Sequence, residues 1–310
     1  MKQTLKRWRD TSPLIEPLAR ALRATGLVPE RAWRHLGFTG VADFTVAGRA
    51  VKMWHFGAEI ENTLFWAGYG QGWEGTTLQV WERLARGSRV TFDVGANTGV
   101  FALAAQAANP AARVHAFEPL PAIAQRLADN VALNGFPITV HAVAVSDHAG
   151  TAAIRMSEAA HEYSASFEHM EWMDHTAGIE VEVPLVRLAD IIAATGDRPD
   201  LIKLDVERHE PQALRGLWPG LEGGPLPTLV IEILDEATAA AVRAEIDGRG
   251  YRGFVIREGE GLSEEPLRAV PGTMNWLLLP ADAEGELARR LGETGLLSHA
   301  DLAAVRPGAR

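Results

Sequence analysis

From about residue 88 the apolar residues of this chain fall into short continuous runs, at 89–94 (RVTFDV), 113–117 (RVHAF), 138–145 (ITVHAVAV), 201–206 (LIKLDV), 228–233 (TLVIEI), 251–256 (YRGFVI) and 274–279 (MNWLLL). Continuous rather than alternating runs belong to strands covered on both faces. Helical patterns at 98–108, 120–134, 209–217 and 235–249 lie between most of them. Strand–helix repetition of this kind predicts an α/β fold with a mostly parallel, doubly wound sheet. Residues 156–180 break the rhythm with polar and aromatic positions, and the last thirty residues read as an Ala- and Leu-rich helical tail. Upstream, Ser12-Pro13 reads as an N-cap and first helical position, with Leu14, Ile15, Leu18 and Leu22 at helical spacing until Gly26. Residues 44–56 (FTVAGRAVKMWHF) read as two short strands around Gly48. Six of the nine tryptophans precede residue 82, so the N-terminal quarter is a distinct element that packs on or covers the regular part of the chain. The division expected is an extension over 1–70, a central domain over 71–282 and a tail over 283–310.

Composition changes this picture only by exclusion. At 310 residues, 47% hydrophobic and 23% charged, the chain matches an ordinary soluble protein of one or two domains. The absence of cysteine removes disulfides, thiolate metal sites and cysteine nucleophiles. No signal-like or membrane-spanning apolar stretch is seen, and a cytoplasmic location is expected. A formal net charge of −10 disfavours nucleic acid as a partner. Residues 1–40 nevertheless carry eight Lys/Arg against three acids. They read first as a solvated helix face; the alternatives are a basic arm that touches a partner or an anionic membrane, and self-association through the extension.

Candidate chemistry begins at the first strand of the regular part. Asp93-Val94-Gly95-Ala96-Asn97-Thr98-Gly99 lies at its end, where doubly wound folds bind ligands. A dinucleotide turn needs G-x-G-x-x-G for close approach of a pyrophosphate, but Asn97 and Val100 occupy the second and third glycine positions. A phosphate-binding Gly-Lys-Ser/Thr is absent too. A glycine turn preceded by a carboxylate suits S-adenosylmethionine, which has no phosphate and carries an ammonium and a sulfonium. Glu118, at the end of the next strand, is placed to grip its ribose hydroxyls.

VTFDVGANTGVFAL, VHAFEPLPAIAQRLADNVALNG, VAVSDHAG, LIKLDVERHEPQAL and LVIEI occur in this order. Together they closely resemble the FkbM-type family of S-adenosylmethionine-dependent methyltransferases, over roughly residues 70–280. The resemblance implies the class I, Rossmann-like methyltransferase fold, a seven-stranded sheet whose last strand runs antiparallel. It implies O-methylation of hydroxyls on sugars, polyketides and other secondary metabolites. It further implies cofactor contacts at Asp93, the turn Gly95, Ala96, Asn97, Thr98 and Gly99, Glu118-Pro119, the segment around Ala144, and Asp205. Trp73-Glu74 matches an aromatic–acid pair of the family, so Glu74 is expected at the amino-acid end of the cofactor. Two departures stand out: Arg208 replaces the glycine of the family's DVEGHE, and Ala189-Asp190 stands where paired aspartates are usual. Both are expected to bear on the acceptor site.

Methyl transfer needs alignment of nucleophile and methyl carbon, and a sink for the proton of a hydroxyl acceptor. LDVERHE places Asp205, Glu207, His209 and Glu210 within six positions at the end of the fourth strand. With an unperturbed pKa of about 6.5, His209 is the first candidate for general base. Asp205 or Glu207 would orient it or bind the acceptor, and Glu210 reads equally as a solvated acid at a helix start. Lys203, Glu232 and, from the 156–180 segment, His161, Tyr163 and Trp172 are candidates for holding the acceptor. Asp205, Glu207 and Glu232 are chemically suited to a divalent metal, though nothing in the sequence demands one. A nucleic-acid base methyltransferase would carry Asn/Asp-Pro-Pro-aromatic where this chain has DVER. A non-catalytic cofactor-binding scaffold, and methylation of nitrogen or protein, stay open.

Overall fold

A computed structural model describes residues 14–56, 58–157 and 178–281. The basic residues before position 14, the segment carrying His161, Tyr163, Trp172 and His175, and the C-terminal tail lie outside the described residues.

In chain order, the extension has helices α1 (Ile15–Thr25) and α2 (Glu30–Trp33), a hairpin of β1 (Gly40–Val46) and β2 (Arg49–His55), and helix α3 (Glu59–Trp66). Next come α4 (Gly75–Ala85), β3 (Val90–Val94), α5 (Val100–Ala108), β4 (Arg113–Phe117), α6 (Pro121–Asn134), β5 (Thr139–His141), β6 (Ala144–Val145), β7 (Gly150–Ser157) and β8 (Gly178–Val186). The remainder is α7 (Leu188–Thr195), β9 (Leu201–Leu204), α8 (Glu210–Leu217), β10 (Thr228–Glu232), α9 (Glu236–Ile246), β11 (Tyr251–Arg257), β12 (Gly261–Glu264) and β13 (Asn275–Pro280).

The main sheet has the order β12-β11-β13-β10-β9-β3-β4-β5. Strands β5, β4, β3, β9 and β10 run parallel, and β13 inserts antiparallel between β10 and β11. This contains the seven strands expected, in the class I methyltransferase arrangement, with β12 added at the edge. The order reverses between β3 and β9, so their carboxyl ends frame the ligand crevice. Successive residues of the central strands enter opposite cores. Leu201, Val230 and Leu277 face the α5 side, whereas Ile202, Leu229, Ile231 and Trp276 face the α8–α9 side. Both faces are covered, which is why the runs read as continuous.

The run at 138–145 is not one strand. It divides at Ala142-Val143, with β5 joining the main sheet and β6 joining a three-stranded sheet of order β6-β8-β7. Strands β7 and β8 flank the 156–180 interruption and pair antiparallel from Gly150↔Leu185 to Ser157↔Gly178.

Helix α5 (VFALAAQAA) is buried on every side from Val100 to Ala107, which requires a further layer outside it. The hairpin and α4 supply that layer. Phe44, Val46, Val51 and Met53 share one core with Trp81, Phe101 and Leu103, and Trp81 Nε1 donates to Phe101 O at 2.8 Å. The free edge of β2 is occupied by amide side chains of α6. Asn134 accepts from Lys52 N at 2.8 Å, and Asn130 accepts from Trp54 N at 2.7 Å while donating to Thr98 O at 2.8 Å. The extension is thereby tied to the turn after β3. Among the described residues no helix is long and apolar enough to cross a membrane.

Met53→Ala is expected to cost about 2–4 kcal/mol in urea unfolding, as for a buried core methionine. A cost below about 1 kcal/mol would show that the hairpin is not part of the cooperative core.

Candidate functional site

A cavity of ≈320 Å³ opens at the carboxyl ends of β3, β4, β9 and β10, within the size range of small-ligand sites. Its floor is the turn after β3. Gly95 has φ +81, and a Cβ there would lie 1.7 Å from Asp205 O, so no other residue fits. Gly99 has φ +98, and a Cβ there would lie 2.4 Å from Leu127 Cδ1. Between them Asn97 sits at φ 51, a left-handed conformation that asparagine tolerates better than most residues. Its N–H donates to Glu118 Oε2 at 3.0 Å and its Oδ1 accepts from Thr98 N at 2.7 Å. Asparagine thus closes the turn onto the acid of the neighbouring strand, where a dinucleotide loop would leave room for phosphate.

Glu118 is held by two main-chain donors, Asn97 N on Oε2 and Leu120 N on Oε1, each at 3.0 Å. Each carboxylate oxygen can accept a further bond. Burial pushes its carboxyl up to about 7 against these two N–H donors. The wall beyond it is apolar: Phe117, Leu120, Val143, Ala144, Val145 and Ile154.

Apart from this wall the cavity is acidic. Glu59, Glu74, Glu118, Asp205, Glu207 and Glu232 line it, and no lysine, arginine or histidine does so among the described residues. Lys203 lies just behind, 1% exposed, with Nζ 2.8 Å from Asp205 Oδ2 and 4.9 Å from the Phe101 ring centre. Burial alone would lower its pKa, but Asp205, Glu74 and Glu232 together raise it. Burial also pushes Glu74 up to about 7, and Glu74 Oε2 is a buried acceptor without a hydrogen bond. Glu232 is raised well above the usual carboxylate range, by burial first and then by Asp205, with which it shares a hydrogen bond. Glu207, at φ 54, is pushed up to about 7 by burial and by Asp205.

The turn after β9 is tied at several points. Asp205 N donates to Val94 O at 3.0 Å, and Glu210 Oε1 accepts from Val206 N at 3.0 Å. Glu210 is therefore not a solvated acid: it is 1% exposed, and burial pushes it up to about 8. His209 does not line the cavity. Its Nε2 lies 3.0 Å from Ser146 Oγ, and burial lowers its pKa. Lys203 is likewise under the cavity wall rather than in it, because the Phe101 ring of α5 lies across its ammonium. Asp93 is fully buried behind the turn, where Oδ2 accepts from Ala102 N at 2.7 Å and holds the first turn of α5. Gly99 shapes the turn without lining the cavity, whereas Gly95, Ala96, Asn97, Thr98, Glu118, Pro119, Ala144, Asp205, Glu207, Glu232 and Glu74 all line it. His161, Tyr163 and Trp172 lie outside the described residues.

Arg208 keeps the left-handed conformation suited to the glycine it replaces, with φ 75. Ala189 packs beneath Gly220 and Asp190 pairs with Arg187 at 2.6 Å, so this departure is remote from the cavity and does not shape it. Sequence reasoning missed the wall formed by Ala58, Glu59 and Ile60, and also missed Met274 and Ile154. The signal for the first three was the apolar α5, which demanded a covering layer.

The donor set fits the methyl donor expected from sequence. A cavity lined by six carboxylates and, among the described residues, by no lysine, arginine or histidine favours a ligand carrying ammonium and sulfonium charges and disfavours phosphate. Glu118 is arranged for a diol, and the unpartnered Glu74 oxygen for an ammonium.

Residues 93–252 match the Methyltransferase FkbM domain. The chain is 32% identical over 192 residues to 31-O-demethyl-FK506 methyltransferase FkbM of Streptomyces tacrolimicus, which covers 52% of this chain and 72% of that protein. It is 30% identical over 152 residues to methyltransferase sdnD of Sordaria araneosa, covering 40% of this chain and 59% of that protein. A SAM-dependent methyltransferase of known structure from Agrobacterium tumefaciens aligns over 82% of this chain and 80% of its own, with 15% identity and a TM-score of 0.45. The fold assignment rests on the strand order, not on that alignment.

Two outcomes are expected from the buried acids. Glu118→Ala should weaken S-adenosylmethionine binding in calorimetry by about 1.5–3 kcal/mol, the worth of hydrogen bonds to a charged group. Glu61, Glu74, Asp93, Glu118 and Glu207 are each raised to about 7 and Glu210 to about 8. The folded chain therefore holds protons that the unfolded chain loses between about pH 4 and 7, and stability falls as pH rises through that window. His141, lowered to about 4 by burial, and His209 act the other way but are outnumbered. The ligand-free protein should melt at a lower temperature at pH 8 than at pH 5.5.

Proposed function

The chain belongs to the FkbM family of methyltransferases, and on that premise we propose that it methylates a hydroxyl of an uncharged small molecule, with Glu207 as general base. The observation that carries this reading is the carboxylate-walled cavity with Glu207 in its lining and no basic side chain lining it among the described residues. The relative whose name specifies a 31-O-demethyl compound supports oxygen as the acceptor atom. The absence of any lining cation among the described residues disfavours phosphorylated or carboxylated acceptors.

When bound, S-adenosylmethionine supplies a methyl carbon already activated by its sulfonium. Glu118 would hold the ribose hydroxyls, Glu74 the amino-acid end, and the Leu120–Ala144–Ile154 wall the adenine. What remains for the chain is to align the acceptor and remove its proton. Asp205 is engaged by Lys203 and by the proton-bearing Glu232. Glu207 titrates near neutrality, so it can take a proton from an alcohol as the C–O bond forms and release it to solvent afterwards. His209, the first candidate from its intrinsic chemistry, is directed at Ser146 and serves to anchor the turn.

Glu207→Gln should lower kcat by about 10²–10⁴-fold, the usual worth of a general base, with S-adenosylmethionine affinity changed less than about threefold. In the parent, kcat should rise with pH through about 7 and level off above it, because the base works deprotonated. The assay is transfer of a labelled methyl group to a panel of glycosides and polyketide alcohols, with their phosphorylated counterparts as expected non-acceptors. Full turnover by Glu207→Gln would remove Glu207 from the mechanism.

A further inference from the structure

Two consecutive residues that carry side chains, Glu207 (φ 54) and Arg208 (φ 75), occupy the left-handed region, which such residues seldom adopt. The turn is secured around them. Val206 is bonded to Glu210 and His209 to Ser146, each at 3.0 Å. Arg208 Nε reaches Asp235 Oδ2 at 2.5 Å. Asp235 is itself fixed, because its Oδ1 accepts from Thr238 N at 2.8 Å and so caps α9. Glu207 is thus a cavity-lining residue between tethered neighbours, and its own strained backbone is held from outside.

The charges that face Glu207 come from three places. Asp205 lies on its own turn, Glu232 on β10, and Lys203 on β9; the last is already paired with Asp205. Arg208 adds a second cation. Glycine would form the same turn with less strain but would bring neither the tether to α9 nor the charge.

We propose that Arg208 is a positioning residue for Glu207: anchored on Asp235, it holds the left-handed turn that presents Glu207 to the cavity and sets a positive charge beside that carboxylate. The proposal deepens the assignment of Glu207 as base and rests on it for its functional meaning. Arg208 and Lys203 both favour the ionised form of Glu207, against burial and Asp205. Removing the guanidinium should therefore shift the base to work at higher pH.

The test reads the Glu207 proton directly, without an acceptor. In the full chain labelled with ¹³C at glutamate side-chain carboxyls, the Glu207 resonance is identified by its loss in Glu207→Gln and tracked through a pH titration. It should titrate at about 7 in the parent. In Arg208→Gly it should titrate at least about half a unit higher, and in Arg208→Lys close to the parent, because the charge is kept. Binding of S-adenosylhomocysteine should stay within about threefold, since Arg208 does not line the cavity, which reports an intact fold. If the glycine variant does not fold, Arg208→Met removes the charge while keeping the stem. Coincident titrations in the parent and the charge-removed variant would overturn the proposal. That result would leave Glu207's role as base to be judged by the transfer assay, so the two ideas fail separately.

Discussion

The site is organised around a buried ammonium that is outnumbered by carboxylates. Lys203 is 1% exposed and bonded to Asp205, with Glu74 and Glu232 facing it. One cation cannot neutralise three acids at such proximity: burial first, and then the charge of Asp205, raises Glu74 and the adjoining Glu207 to about 7 and Glu232 well above the usual carboxylate range. A cationic ligand resolves this imbalance by supplying the missing positive charge. The same field is hostile to phosphate, which agrees with a turn after β3 that gives its middle position to Asn97 rather than to glycine.

Geometry is set by backbone rather than by side-chain reach. Gly95 must be glycine because Asp205 O lies against it, and that contact fixes the distance between the turn after β3 and the turn after β9. The pairing of Asp205 N with Val94 O locks the same approach. Asn97, Glu207 and Arg208 then bear left-handed conformations that their neighbours stabilise. The N-terminal extension joins this frame through Asn130, which bonds both Trp54 N and Thr98 O. The hairpin, the helix after β4 and the cofactor turn therefore form one connected structure.

Strand positions were legible because β3, β4, β9, β10, β11 and β13 are short apolar runs buried on both faces, and the acid at 118 was legible from its place one strand later. The split of 138–145 was not, because Ala142-Val143 are as apolar as their neighbours and only the second sheet pulls them apart. The first helix was legible from its spacing and its stop at Gly26, which caps α1, but α3 and α4 were hidden behind glycines and aromatics: Gly68, Gly70 and Gly72 all have positive φ and interrupt any helical pattern. Intrinsic pKa points to His209, but the direction of its ring depends on Ser146, sixty-three residues earlier in the chain. Lys203 misled for a similar reason: its burial is set by Phe101, which belongs to another element.

The most direct test of the charge imbalance is a count of protons released when S-adenosylmethionine binds at pH 7, by calorimetry in buffers of different ionisation enthalpy. A cation entering a cavity of half-protonated carboxyls should drive them to ionise, so binding should release protons, and more of them than binding of the uncharged-sulfur S-adenosylhomocysteine. Binding without proton release, or with proton uptake, would contradict the account of an acid-rich site suited to a cationic ligand.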